Sequence, residues 1–198
     1  MSEHDDLWMQ RWLKLLRAGA GAGRVLELAC ANGRDTEWLA QQGLRVVGTD
    51  LSADALRQCA RAVPSAWVLQ HDLRHPLPFA DGTFGAVVAS LCLHYFPWDE
   101  TAAAVAEIHR CMKPFGILLC RLNSTRDVLH GAQAGGREIE RHFYEVDGTF
   151  SDRKRFFDRE DIRRLFGERF KVLQCNERTI HRYEKPKVAW EIVARPLK

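Results

Sequence analysis

Short apolar runs alternate with amphipathic segments along most of the chain. The runs, rich in Val, Leu and Ala, are typical of buried strands, and the amphipathic segments have apolar residues at helical spacing. The pattern predicts strands at 24–30, 44–50, 66–72, 84–91 and 117–123, with helices at 34–42, 52–62 and 99–112. Strands that alternate with helices in this way predict a parallel sheet covered by helices on both faces.

The end of the chain shows a different pattern. A helix predicted at 158–168 is followed by two apolar runs, at 170–180 and 187–197, joined by a short connection. Because a parallel crossover needs a dozen or more residues, this connection predicts a hairpin and hence an antiparallel last strand. We therefore expect a three-layer, Rossmann-like α/β fold as a single domain over residues 1–198, with a seven-stranded, mostly parallel sheet whose last strand is antiparallel.

Two segments lie outside this alternation. Trp8, Trp12 and Leu15 share one apolar face of a helix predicted within residues 1–23, which either packs on the edge of the domain or covers a ligand as a lid. Residues 123–157 are too long for a simple connection, and long loops in compact domains are usually functional. This excursion leaves the carboxyl ends of the strands, where ligands bind in open α/β sheets, so we expect it to shape a substrate pocket.

Composition narrows the classes of partner and compartment. The formal net charge of +3 is small, and the densest basic stretch, 151–170, is interleaved with acids, so no nucleic-acid partner is expected. The longest apolar run, 84–93, is too short to span a bilayer, and the N-terminus has no signal-peptide pattern, so no membrane partner is expected. The six cysteines lack paired spacing, which favours free thiols in the cytoplasm. We expect a monomer or homodimer.

Acidic residues stand at the ends of the first three predicted strands. An ionised carboxylate accepts hydrogen bonds through two oxygens, so Asp50 at the tip of the second strand suits the two hydroxyls of a ribose. Asp72, at the tip of the third strand, suits an exocyclic amine such as that of adenine. Glu27, beneath the first turn, suits a ligand's ammonium group or the amides of the turn. Each acid alone is also explained as a solvated turn residue, but together they favour a nucleoside ligand.

Four stretches carry a resemblance to a known family. The chain resembles class I S-adenosylmethionine-dependent methyltransferases, from about residue 24 to its C-terminus, in VLELACANGRDTEWLA, VVGTD, QHDLRHPLPFADGTFGAVVASLCLHYF and EIHRCMKPFGILL. NGRD, RCMKPFG and HRYEKPKVAWEIVAR are similar to the small-molecule tellurite-resistance and thiopurine-methyltransferase-like group. The resemblance implies S-adenosylmethionine as cofactor, S-adenosylhomocysteine as product, and in-line methyl transfer to a sulfur, oxygen, nitrogen or chalcogen nucleophile.

The resemblance also implies which residues contact the cofactor. The backbone from Ala29 to Gly33 would pass close to the methionine part, and Arg34 would pair with its carboxylate unless it is an ordinary surface arginine. The other implied contacts come from Glu27, Asp50, Leu51, Asp72, Leu73, Ser90 and Leu91, and from Trp12 if the N-terminal helix covers the cofactor.

Two alanines in LELACANGRD, residues 26–35, stand where the family has glycine. Ala29 is tolerated if its φ is negative. Ala31 is the larger departure, because glycine serves where φ is positive or where a ligand approaches closely. We therefore expect Ala31 to shift the cofactor or weaken its binding.

Two histidines past the strand ends are candidate bases. His94, followed by Tyr95 as a candidate substrate contact, comes after the fourth strand, within reach of the transferred methyl group. His181 and Arg182 lie in the last hairpin and resemble a His-Arg pair that faces the substrate pocket in tellurite-resistance enzymes. Each histidine is equally explained as a structural residue, and a thiolate or chalcogen anion would need no base.

The long excursion supplies three more candidate substrate residues. Asn123 offers an amide near the end of the fifth strand, and Phe143 and Tyr144 would wall a planar substrate or else anchor the segment to the core. His71 and His75 flank Asp72, but no third or fourth ligand has suitable spacing, so no metal site is expected.

Two other function classes compete with methyl transfer. An NAD-type oxidoreductase would require G-x-G-x-x-G after the first strand, where this chain has A-C-A-N-G-R. A methyltransferase-like domain that binds the cofactor but only regulates or scaffolds would keep the same acids. A complete set of acids and a full pocket segment favour the enzyme.

Overall fold

The computed structural model describes residues 8–132, 136–145, 153–181 and 183–198. Its strands are β1 (Arg24–Leu28), β2 (Arg45–Asp50), β3 (Trp67–Gln70), β4 (Phe84–Ser90), β5 (Met112–Asn123), β6 (Glu138–Glu140), β7 (Phe143–Glu145), β8 (Arg153–Arg155), β9 (Phe170–Ile180) and β10 (Lys187–Pro196). Its helices are α1 (Leu13–Ala20), α2 (Arg34–Gln41), α3 (Ala53–Ala62), α4 (Trp98–Cys111) and α5 (Arg159–Phe166), with 3₁₀ turns at Trp8–Trp12, Leu93–Tyr95 and Val128–His130.

The central sheet has seven strands in the order β3-β2-β1-β4-β5-β10-β9. The pairs from β3 to β5 are parallel, whereas β10 is antiparallel to both β5 and β9. The chain crosses from β9 into β10 through a short connection, as a hairpin requires. The predicted mostly parallel sheet with an antiparallel last strand is therefore confirmed.

Helices cover both faces of the sheet because the central strands are apolar on both sides. On one face, Leu26, Val87 and Leu118 pack with residues of α4 and α5. On the other face, Val88 and Leu119 pack with residues of α1 and α2. This arrangement is the predicted three-layer architecture.

N-capping residues in the sequence explain where two of these helices begin. Ser52 is the N-cap of α3, and its hydroxyl accepts a hydrogen bond from the amide of Ala55. Asp158 and Asp161 form a capping box at the start of α5, in which each carboxylate accepts from the other residue's amide. The predicted N-terminal helix is a 3₁₀ turn followed by α1.

The 123–157 excursion contains a small sheet that the sequence did not predict. Strands β6, β7 and β8 pair in antiparallel fashion, and each has three residues, too few for the alternation that marks a strand in sequence. The excursion rejoins the main sheet through Phe157, whose amide donates to the carbonyl of Asn123 at 2.8 Å.

All six cysteines are free, and all but Cys175 are buried. In the part of the chain that is described, no helix has the length and apolar character needed to cross a bilayer.

Candidate functional site

The first turn and the tip of β2 are held together by one carboxylate. Asp50 accepts a hydrogen bond from the amide of Ala31 through Oδ2 at 2.9 Å and from the amide of Ser52 through Oδ1 at 2.8 Å. Each oxygen of an ionised carboxylate has capacity for a second donor. Asp50 is half-buried, so it is still open to the hydroxyls of a ligand at the carboxyl end of the sheet.

The backbone of the first turn lies in the left-handed region at three positions. Ala29 has a φ of 52°, Ala31 a φ of 48° and Gly33 a φ of 91°. The condition for tolerating Ala29, a negative φ, is therefore not met, and both alanines carry strain that glycine would avoid. Strained backbone of this kind concentrates at binding sites. Gly33 has a separate requirement, since a Cβ there would lie 2.8 Å from Sγ of Cys59.

Glu27 lies beneath this turn and is 4% exposed. The hydroxyl of Thr36 donates to its Oε2 at 2.5 Å. Burial, with smaller contributions from the charges of Asp35 and Asp50, raises the pKa of Glu27 to about 8 against the opposing hydrogen bond from Thr36. Glu27 is therefore largely protonated at neutral pH, and a cation beside it would favour its ionised form.

Asp72 has a cationic partner that sequence reasoning missed. Nε of Arg74 donates to both carboxylate oxygens, at 3.0 and 2.9 Å, and the amide of Arg74 donates to Oδ1 at 3.0 Å. The hydrogen bonds from the Arg74 side chain lower the pKa of Asp72 to about 2. An adenine amine would share this carboxylate with Arg74. The signal was available in the sequence, because the two residues are only two positions apart.

The other predicted cofactor residues follow the ends of β2, β3 and β4 or begin α2. Leu51 follows β2 with 61% of its surface exposed, Leu73 follows β3 and packs on the core, and Arg34 is exposed at the first position of α2. Ser90 ends β4, and Leu91, the next residue, has a φ of 55°.

The ends of β1 and β4 lie side by side. Leu28 pairs with Ala89, so the first turn begins next to Ser90. The structure therefore brings the first turn, the tip of β2 and the end of β4 to one edge of the sheet.

Trp12 lies against β10. Its Nε1 donates to Oε1 of Glu191 on β10 at 2.8 Å, and β10 is the third strand from β1 in the sheet. Glu191 also pairs with Arg121 of β5 at 3.5 Å, and both side chains are almost fully buried. This contact corresponds to the packing alternative for the N-terminal segment.

His94 and Asn123 lie at the ends of β4 and β5 in buried surroundings. His94 is 2% exposed, and its ring lies 4.2 Å from that of Tyr95 between centroids. Among the described residues, Nδ1 of His94 and both amide atoms of Asn123 have no hydrogen-bond partner. Burial lowers the pKa of His94 well below its ordinary value, and the charges of Lys187 and Lys154 lower it further. His94 is therefore neutral and poorly suited to accept a proton.

Next to these residues lies a buried network of hydrogen bonds around Asp127 that the sequence did not predict. Asp127, 1% exposed, accepts from Nζ of Lys187 at 2.9 Å and from the amide of Val188 at 3.0 Å, and it lies 2.9 Å from Nδ1 of His130. The His130 ring lies 6.2 Å from that of Tyr183. No local pattern marks this network, because its members come from the excursion and from the start of β10.

The remaining substrate candidates are dispersed. Phe143 is buried in the small sheet with the guanidinium of Arg155 4.9 Å from its ring centroid, and Tyr144 is half-buried with its ring 6.0 Å from that of Phe156. His181 is exposed just after β9. Arg182 lies outside the described residues.

A His-Asp-Asp group lies at the start of α5, away from the first turn. The ligand atoms of His142, Asp158 and Asp161 lie within 4.8 Å of one another. These groups have partners already: Asp158 and Asp161 cap α5, His142 lies 2.8 Å from Asp161, and Arg141 bonds Asp158 at 2.7 Å. The group therefore serves to fasten the small sheet to α5.

Residues 25–116 match a family model described as a methyltransferase domain. The matched stretch includes the first turn, the tips of β2 and β3, and the end of β4. It ends before the excursion, so the family match includes most of the predicted cofactor contacts and leaves out the segment predicted to shape the substrate pocket.

Two relatives match about half of the chain or somewhat more. An uncharacterized methyltransferase of Synechocystis sp. is 39% identical over 94 residues, which are 48% of this chain and 44% of the relative. A demethylmenaquinone methyltransferase of Beutenbergia cavernae is 35% identical over 121 residues, which are 61% of this chain and 49% of the relative. The chain thus matches about half the length of these relatives.

A solved structure shares the whole fold. The 1,6-didemethyltoxoflavin-N1-methyltransferase of Burkholderia thailandensis, with bound 1,6-didemethyltoxoflavin and S-adenosylhomocysteine, has a TM-score of 0.70 against this chain. It is 20% identical, and the alignment covers 98% of this chain and 80% of that one. Residues 25–116 are thus similar to a methyltransferase domain, and the chain as a whole shares the Rossmann-like fold of this solved methyltransferase structure.

Proposed function

We propose that this protein is an S-adenosylmethionine-dependent methyltransferase that transfers the methyl group to a small-molecule nucleophile by in-line displacement. The observation that carries the proposal is the position of Asp50. Its carboxylate, at the tip of β2, joins the strained first turn to the start of α3 and keeps capacity for a ribose.

The residues at this edge of the sheet fit the cofactor. Asp50 would hold the ribose, Leu51 offers exposed apolar surface to the adenine, and Asp72 with Leu73 lies where the adenine edge would be. The turn from Ala29 to Gly33 brings backbone close to the methionine part. Glu27 beneath the turn is a neutral acid that an ammonium group would ionise. Arg34, Ser90 and Leu91 complete the proposed contacts.

The chemistry asks little of the protein beyond alignment. S-adenosylmethionine, when bound, supplies a methyl group whose leaving group is a neutral thioether. The chain's own task is to hold the acceptor in line and to exclude water, and well-oriented reactants gain about 7–11 kcal/mol in this way. Tyr95, Asn123, Phe143, Tyr144 and Arg182 remain proposed acceptor contacts, and His94 and His181 remain proposed catalytic residues.

A small-molecule acceptor is supported by the relatives. One relative is named for demethylmenaquinone, and the solved structure similar to this chain holds 1,6-didemethyltoxoflavin. Membership of the tellurite-resistance and thiopurine-methyltransferase-like group is part of the proposal. So are a cytoplasmic location, a monomer or homodimer, and the lack of a nucleic-acid or membrane partner.

Calorimetric titration with S-adenosylmethionine, S-adenosylhomocysteine and NADH tests the cofactor. We expect the first two to bind and NADH not to bind, and binding of NADH alone would contradict the proposal. Incubation with thiols, phenols, halides and oxyanions of selenium or tellurium, read out as S-adenosylhomocysteine formed, tests turnover. Tight cofactor binding without turnover on any acceptor would favour the regulatory domain instead.

A further inference from the structure

Two side chains at adjacent strand ends carry buried polar atoms without partners. Asn123 is fully buried and His94 is 2% exposed, and in the described part of the chain Nδ1 of His94 and both amide atoms of Asn123 make no hydrogen bond. Buried polar groups in native proteins are almost always bonded, and each exception calls for an explanation. Asn123 ends β5 and His94 lies in the 3₁₀ turn that follows β4, so both lie on the side of the sheet where ligands bind in α/β folds. A ligand is the explanation that the position favours.

The charges that act on His94 are those of two lysines. Lys187 and Lys154 are the charged groups that act on His94, and both are cations. Nζ of Lys187 donates a hydrogen bond to Asp127, whose carboxylate neutralises the charge of the lysine. Lys154, half-buried on β8, adds a second positive charge near the same imidazole. The two unpartnered side chains and the two lysines come from the 3₁₀ turn after β4 and from β5, β8 and β10. Strand β8 is held next to this turn by Arg155, whose Nε donates to the carbonyl of Phe96 at 3.3 Å.

We propose that the acceptor binds here with its nucleophilic atom already ionised, as the oxygen anion of an acidic hydroxyl or the sulfur anion of a thiol. Asn123 and His94 would hydrogen-bond this group, and Lys154 would balance its charge. The inference rests on the proposed methyl transfer and specifies the acceptor that it uses.

The alternative, proton removal by His94, conflicts with its surroundings. A protonated imidazole would be a third cation beside two lysines, without water to solvate it. An ionised acceptor avoids this step. A lone pair on its oxygen or sulfur forms the new bond to the methyl carbon, the carbon–sulfur bond of the sulfonium breaks, and that electron pair stays on the thioether sulfur. No proton moves, and an anion and a cation become two neutral groups. His94 then contacts the acceptor and takes no proton from it.

Binding to the protein saturated with S-adenosylhomocysteine is the first test. We expect para-nitrophenol at about pH 8, where most of it is ionised, to bind at least about tenfold more tightly than para-nitroaniline, its neutral counterpart of the same shape. Equal affinities would overturn this inference and leave the cofactor proposal intact. Failure of S-adenosylhomocysteine itself to bind would instead overturn the proposed function, so the two failures are distinguishable.

Charge and amide variants locate the site. Lys154→Met removes the charge and keeps the length, so it should weaken para-nitrophenol binding about tenfold and leave para-nitroaniline unchanged. Lys171→Met, at an exposed lysine of β9, is the matched control and should change neither. Asn123→Leu removes the unpartnered amide, so it should raise the Tm of the free protein and weaken the binding of para-nitrophenol. A lower Tm together with unchanged phenol binding would show that Asn123 is structural and overturn its role.

The pH dependence of turnover separates an ionised acceptor from a base on the protein. Groups that face His94 are Tyr95 on its own turn, Lys154 from β8 and Lys187 from β10. With phenols of increasing acidity, the midpoint of the kcat/KM profile should move with the pKa of each phenol. His94→Gln should lower kcat/KM without shifting these midpoints. A midpoint that stays fixed across the phenols, and that His94→Gln abolishes, would identify His94 as the base and overturn the inference.

Discussion

Single carboxylates at the strand ends have distinct states because their surroundings differ. Asp50 accepts two backbone amides and is half-buried, Asp72 is clamped by Arg74, and Glu27 is buried beside a hydroxyl. The pKa of Asp72 falls to about 2 through its hydrogen bonds to Arg74, whereas burial raises the pKa of Glu27 to about 8. Their positions in the sequence predict that all three acids lie at the same edge of the sheet. Their protonation states depend on tertiary contacts that the sequence does not show.

The first prediction concerns Asp50. Asp50→Ala should weaken S-adenosylmethionine binding about tenfold or more, since each lost bond from a ribose hydroxyl to a charged group is worth about 1.5–3 kcal/mol. Calorimetry measures the affinity, and circular dichroism shows whether the fold survives. Asp54→Ala, at an exposed acid of α3, is the control and should bind normally. Unchanged affinity in Asp50→Ala would mean that the ribose lies elsewhere.

The second prediction concerns the proton on Glu27. Because its pKa is about 8, binding of the cofactor's ammonium group should release up to about one proton at neutral pH. Calorimetry in two buffers of different ionisation enthalpy measures the release, and Glu27→Gln should show none. Equal proton release in both proteins would rule out Glu27 as the source.

The same raised pKa fixes how Glu27 affects stability with pH. Its contribution is fully present below the unfolded-state pKa near 4.5 and is lost as the pH rises through about 8. Glu27→Gln should therefore lose less stability than the unmodified protein over this range, as thermal unfolding at several pH values would measure.

At the scale of elements, the first turn is the most strained connection in the candidate site. It leaves β1 and enters α2 with Ala29, Ala31 and Gly33 at positive φ. An L-residue in the left-handed region costs about 1–2 kcal/mol, and only glycine escapes this cost. The sequence correctly marked Ala31 as a departure from glycine, but it left the φ of Ala29 open, because a backbone angle depends on where β1, β2 and α2 are fixed.

The third prediction relieves this strain. Ala31→Gly should stabilise the protein by up to about 1 kcal/mol, because the relief outweighs the entropy that glycine loses on folding. Cofactor affinity should rise or stay equal. Ala103→Gly, at an exposed position within α4, should have the opposite sign and cost about 1 kcal/mol. Denaturant unfolding compares the two variants, and destabilisation by both would mean that the turn is not strained at Ala31.

At the scale of the whole molecule, the two ends of the chain meet on one face of the sheet. Trp12 near the start bonds Glu191 near the end, and Glu191 pairs in turn with Arg121 of β5. Removing one partner of a buried ion pair lowers the stability of the protein, because the remaining charge stays desolvated. The N-terminal segment is thus fastened to the half of the sheet that lies away from Asp50.

The fourth prediction tests whether Trp12 only packs on the sheet or also covers the cofactor as a lid. Trp12→Phe keeps an aromatic ring but removes the donor, so it should destabilise the protein by about 1–3 kcal/mol. Affinity for S-adenosylhomocysteine should not change if Trp12 only packs. Trp67→Phe, at a largely exposed ring on β3, is the control and should stay within about 0.5 kcal/mol. A loss of cofactor affinity without a loss of stability would support the lid.

The sequence by itself determined the layers, the hairpin and the acids at the strand ends. Apolar periodicity and connection length are local properties, so the seven-stranded sheet, its antiparallel last strand and the placement of Asp50 follow from short stretches. The strands of the small sheet, three residues each, are below the length at which such a pattern is visible.

Only the tertiary structure decided the electrostatics of the site. Lys187 and Asp127 are sixty positions apart, and Lys154 reaches the neighbourhood of His94 from a third element. Whether a side chain keeps its water, and which charges then act on it, depends on every segment that packs against it. For this reason the chain shows His94 as a candidate base, whereas the fold makes it a buried, neutral imidazole beside two lysines.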